Sequence, residues 1–153
     1  MKALAFVIAL AATSASAQDR VSFGLGIGAP FAGLGVNIAL ADKNEFKYLA
    51  GGCVAYERSG SMNQSACGVG AGWLRTDLFD PTGDRHGLGL YLGPVSGEWE
   101  NRSLRAVYGG GLTYAYFTQG VSRSGLHLGA TVAVGRENDK TQGYLILGLG
   151  YQF

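Results

Sequence analysis

Apolar residues alternate with glycine and other small residues in segment after segment of this chain, and few folds can absorb such a pattern. Val21, Phe23, Leu25 and Ile27 are spaced by Ser22, Gly24 and Gly26, and Leu34, Val36, Ile38 and Leu40 by Gly35, Asn37 and Ala39. The pattern returns at Cys67–Trp73, Leu88–Leu92, Leu104–Tyr116, Leu126–Val134 and Leu145–Phe153. Successive side chains of a strand point to opposite faces of a sheet, so a period of two predicts strands. Residues 47–57 are less regular, with Tyr48, Val54 and Tyr56 on one parity and Leu49, Cys53 and Ala55 on the other. Read as a strand of open facing, this segment completes a set of eight: 20–28, 33–41, 47–57, 64–76, 86–95, 103–117, 124–135 and 142–153. An even number of antiparallel strands closes into an up-and-down barrel with both termini at one end.

The first 17 residues stand outside this pattern. Lys2 is a basic start, Ala3–Ala12 a short apolar core, and Ala15-Ser16-Ala17 a small-residue cleavage site, which together read as a secretory signal peptide. The apolar run falls short of the ~20 residues a membrane helix needs. Residues 1–17 are therefore expected to be removed, leaving 18–153 as one domain beginning at Gln18.

Charge placement separates two kinds of barrel. With Lys2 set aside, 11 basic and 11 acidic residues remain. This balance leaves no electrostatic footprint for nucleic acid. The charges fall at 19–20, 42–47, 57–58, 75–85, 98–105, 123 and 136–140, and no strand carries one at its centre. A soluble periplasmic binding barrel would turn its large apolar residues inward and show water a polar face. The second face here is glycine, alanine, serine and threonine, a poorly solvated and entropically weak exterior. A transmembrane β-barrel demands charge-free strand centres, because a charge facing lipid at mid-depth costs roughly 2–4 kcal/mol. The expected fold is thus all-β, an eight-stranded antiparallel transmembrane barrel. Tyr48, Tyr56, Trp73, Tyr114, Tyr116, Tyr151 and Phe153 lie toward strand ends, where interfacial aromatics belong.

The chain ends Gly148-Leu-Gly-Tyr151-Gln-Phe153. A terminal phenylalanine with apolar or aromatic residues at the third and fifth positions from the end resembles the outer-membrane assembly signal. With the alternation it makes the mature chain similar to the small OmpX/OmpA-like outer-membrane barrels, a porin-like group. The resemblance implies a Gram-negative outer-membrane location and lipid contacts. It also implies recognition of Tyr151 and Phe153 by the barrel-assembly machinery, after escort by periplasmic chaperones. The connections it would turn outward, 29–32, 58–63, 96–102 and 136–141, are all short, which argues against adhesion through long loops.

Cys53 and Cys67 are the only cysteines, and their midpoint is Gly60. A hairpin turning there sets them opposite one another, and an oxidising compartment would join them. That bridge would put Cys53 on the Cys67 side and favour the Leu49/Gly51/Cys53 parity. Arg105 and His127 are the polar residues expected to point into the lumen. No catalytic, metal-binding or cofactor-binding residue is expected. His86 and His127 share no ligand spacing. The His-x-Ser pattern of barrel deacylases is absent, because Gly129 stands two residues after His127. Gly24-Leu-Gly-Ile-Gly28-Ala29 lacks the following helix that a dinucleotide site requires. The expected role is structural, in the envelope and without a wide channel. The alternatives are a narrow pore or conduit for a small apolar ligand, a lipid-modifying enzyme, or the soluble binding barrel.

Overall fold

The computed structural model describes residues 20–59, 62–79, 83–100, 103–138 and 140–153. Residues 1–17, expected to be a leader with its cleavage site, and Gly60, the expected hairpin midpoint, lie outside them. Eight antiparallel strands close into an up-and-down barrel in sequence order: β1 (Arg20–Gly28), β2 (Gly33–Ala41), β3 (Glu45–Ser59), β4 (Met62–Arg75), β5 (His86–Glu100), β6 (Ser103–Phe117), β7 (Gly125–Glu137) and β8 (Lys140–Gln152). The ring is sealed by β1 on β8, with Gly24 opposite Gln152 and Ile27 opposite Leu149. Residues 42–44 and 118–124 and the strand ends at Arg75 and His86 share one end with Arg20 and Phe153. The paired strand ends Ser59/Met62, Glu100/Ser103 and Glu137/Lys140 lie at the other, which we call the hairpin end.

The alternation resolves into an apolar outside and a small-residue inside. Leu145, Leu147, Val132 and Leu92 are each 64–70% exposed. Gly24, Asn37, Ala39, Ala50, Gly70, Thr113, Thr131 and Ala133 are buried on the opposite face. The outer band runs along β8 from Leu145 to Phe153, along β7 from Leu126 to Val134 and along β6 from Tyr108 to Tyr114. At ~3.4 Å per residue and a tilt of ~40°, such a run climbs roughly 20–25 Å. No helix among the described residues is long and apolar enough to cross a membrane.

Two β-bulges mark the hairpin end. The β3–β4 register shifts between Cys53 and Ala55, making Val54 the extra residue, and the β5–β6 register shifts between Pro94 and Ser96 around Val95. An inserted residue reverses the facing of the strand beyond it. Leu49 faces out and Tyr48 in before the Val54 bulge, whereas Tyr56 faces out after it. This is why residues 47–57 follow neither parity. Tyr48 accordingly belongs to the lumen and not to an outer aromatic belt.

Several strands also run further than their alternation. Residues 96–100, expected to be a connection, extend β5, and β3 reaches Ser59. The β3–β4 and β5–β6 hairpins rise beyond the apolar band. β4 pairs with β5 only from Ala71/Leu92 to Arg75/Leu88. Above that the hairpins separate and lean together, through Trp99 Nε1 donating to Glu57 (2.9 Å) and Leu104 N–H donating to Gln64 Oε1 (2.7 Å).

Candidate functional site: a plugged lumen

The connection between β1 and β2 does not point away from the barrel. It was expected to be a short outward turn, yet Ala29–Phe31 form one 3₁₀ turn whose three residues are all buried. Backbone geometry drives the chain inward, with Gly28 (φ 106°) and Gly33 (φ 100°) bracketing the turn in conformations that suit glycine. Ala32 closes it in the left-handed region at φ 53°. A polar Asn-Gly or Asp-Gly turn would have reached into solvent. Ala-Pro-Phe-Ala has nothing to solvate, and it fills the barrel instead.

Phe31 is the centre of this plug. It is fully buried, and its ring stacks on His127 with centroids 5.1 Å apart and planes at 22°. The inward glycines make room for it. A Cβ at Gly150 would overlap the Phe31 ring, and one at Gly26 would come within 2.6 Å of it. Below it, His127 meets Phe117 edge-on (5.4 Å), Phe117 meets Phe46 (5.3 Å) and Phe46 meets Tyr48 (5.7 Å). The Tyr48 ring lies in the space left by Gly72. Leu74 and Val121 complete the column. Val121 is drawn over the mouth by its N–H donating to the Asp84 carbonyl at 2.8 Å.

The polar groups inside secure the plug. Asn37 Nδ2 donates to the Pro30 carbonyl at 2.9 Å. Gln152 Nε2 donates to Ser22 Oγ (2.9 Å) and Asn37 Oδ1 (3.1 Å), linking β8, β1 and β2 at the seam. Thr113 and Thr131 share a hydrogen bond of 2.8 Å. Tyr91 Oη donates to the Pro94 carbonyl at 2.9 Å. His127 is buried with neither ring nitrogen hydrogen-bonded among the described residues, so its contacts are aromatic. No Asp, Glu, Lys or Arg is buried among the described residues.

The other sequence-selected residues fall elsewhere. Arg105, expected in the lumen, stands exposed near the β5–β6 tip and ion-pairs with Glu100. It lies above the level where β4 and β5 part, so its strand has no lumen to face. His86 is at the opposite end from that tip, in contact with the Tyr114 hydroxyl at 2.7 Å, and His127 sits on a different strand. Tyr151 and Phe153 point outward with ring centroids 4.8 Å apart, and Phe153 N–H donates to the Phe23 carbonyl at 2.7 Å. No group of His, Cys, Asp and Glu among the described residues is arranged to hold a metal.

Cys53 and Cys67 are opposed in the β3–β4 register and joined as a disulfide on the outer face. The bridge spans 14 residues and fixes the register just below the Val54 bulge. Closing a loop of that size stabilises by about 3 kcal/mol on the chain-entropy account. Cys53→Ser with Cys67→Ser is expected to lower the urea midpoint of the refolded protein by a corresponding amount. A midpoint unchanged from the oxidised wild type would contradict this.

The sequence-selected residues missed Phe31, the one that organises the interior. Its signal was an apolar Ala-Pro-Phe-Ala segment where turn chemistry calls for polar residues. No family model matches the chain, and neither does any curated protein or solved structure.

Proposed function

We propose that this protein is an integral outer-membrane barrel with a sealed lumen, serving the envelope as a structural element and not as an enzyme or a pore. The observation that carries the reading is the pairing of an apolar outside with a filled inside. A water-soluble barrel gains nothing from a continuous belt of half- to two-thirds-exposed Leu, Val and Ile, because such patches drive association. In a bilayer the same belt is the solvated face, and where the ring is paired all round its backbone is satisfied internally. The even strand number, the termini at one end and the Tyr151/Phe153 ending fit the small outer-membrane barrels the sequence resembles. In that setting the partners are outer-membrane lipids, with the barrel-assembly machinery and periplasmic chaperones during biogenesis.

The sealed lumen favours a structural role over a conduit. Phe31, the aromatic column and Val121 obstruct the axis at successive levels. Above the band, the paired hairpins present Glu57, Trp99, Glu100 and Arg105 to water. With the termini in the periplasm, that surface faces outward. Planar-bilayer recording tests the reading. Purified protein is expected to insert without discrete conductance steps, and sustained steps would establish a pore instead.

A further inference from the structure

Strand lengths around the ring are unequal, and the inequality leaves a breach in the wall. β1 stops at Gly28 and β2 starts at Gly33, while their neighbours continue: β8 extends up to Lys140 and β3 to Ser59. Above Gly28 and Gly33, no strand among the described residues lies between β8 and β3. The breach opens into a recess of about 490 Å³. Ala29 of the plug, Val54 on β3, Leu147 on β8, and Pro94 and Val95 on β5 all line it, and Val95 reaches the β7 backbone at Gly135. Both bulge residues therefore line the same recess. Bulges concentrate where a barrel rim is shaped for a purpose.

We infer that this breach is a lateral portal that admits one acyl chain of a membrane lipid into the top of the barrel. The inference rests on the outer-membrane reading above. Ile27, Leu34, Leu145 and Leu147 flank the opening and are 53–70% exposed. They belong to the apolar band, so what stands outside the portal is hydrocarbon. The lining side chains are mostly apolar, with Val54, Val95, Ile146, Leu147, Ala29 and Pro94 among them, and Tyr56 and the strand backbone add a polar share. Open strand edges would be costly in hydrocarbon, where every backbone polar group needs a partner. A lipid meets both demands. Its chain fills the recess, and its ester or amide linkage and hydroxyls reach the open N–H and C=O groups at the rim. A strand from a second copy is the competing occupant, and the bulge at Val54 works against it by bending the β3 edge out of line for pairing.

The test is short-range magnetisation transfer from lipid chains to valine methyls. Deuterated protein with protonated valine methyls is placed in phosphatidylcholine nanodiscs. Three valines report together: Val132 on the outer face, Val95 in the recess, and Val121 beneath the opposite mouth. The portal predicts transfer to Val95 comparable to that at Val132, with none at Val121. It further predicts that Val54→Trp, which crowds the recess, abolishes transfer to Val95 and leaves Val132 unchanged. Transfer to Val132 with none to Val95 overturns the portal and leaves the membrane reading intact. A two-chain assembly with Val95 silent overturns it in favour of a second copy. Absence of transfer even to Val132 overturns both.

Discussion

Phe31→Ala is expected to cost about 3–5 kcal/mol of stability, the usual range for removing a buried aromatic ring. The cost of a cavity depends on how far its walls can collapse, and these walls cannot. The residues around the ring include Gly26 and Gly150, which have no side chains to move inward, and they belong to strands held by their ladders. His127 would lose its stacking partner and line the void with two unpaired nitrogens. Water would then have a polar foothold half-way along the axis. Urea unfolding of the refolded protein reads the effect. Wild-type stability would show that Phe31 does not hold the interior together.

Leu112→Arg is expected to destabilise by about 2–4 kcal/mol, the cost of a basic residue at the middle of a lipid-facing strand. Leu112 is outward on β6, within the apolar stretch from Tyr108 to Tyr114, and it lies between Leu90 and Val132 in the sheet register. Ser103→Arg, on the same strand but at the exposed hairpin tip, is expected to stay within about 0.5 kcal/mol, as surface substitutions usually do. The contrast between the two matters more than either value. A soluble barrel would accept arginine at both positions, because Leu112 is already 57% exposed. Equal tolerance at the two sites in phospholipid vesicles would therefore contradict a lipid-facing β6.

The barrel was legible from the sequence because closure and alternation are the same constraint seen at two scales. Strands β1, β2 and β6 begin and end where their patterns do. What escaped the pattern has physical causes in particular residues. Glu98 and Glu100 look like loop residues, yet antiparallel pairing continues through them once the hairpin leaves the apolar band. An extra residue at Val54 inverts parity within one strand, and no periodicity analysis recovers facing across an unseen bulge. Arg105 keeps the sequence position of a lumen residue, but the wall around it has already split. Most of all, the glycines of the small-residue face carry no record of what packs against them. Their vacancies are complementary to the Phe31 and Tyr48 rings, which come from elsewhere in the chain. A small residue records that something approaches closely and does not say what.

Subcellular fractionation combined with heat-modifiable gel migration reports membrane residence and barrel closure in one preparation. The protein is expected to sediment with outer membranes and to be released only by detergent. It is also expected to migrate faster unheated than boiled, because the closed barrel stays compact in detergent until heat unfolds it. Recovery in the detergent-free periplasmic fraction would contradict this, and would make the apolar exterior the interface of a soluble assembly.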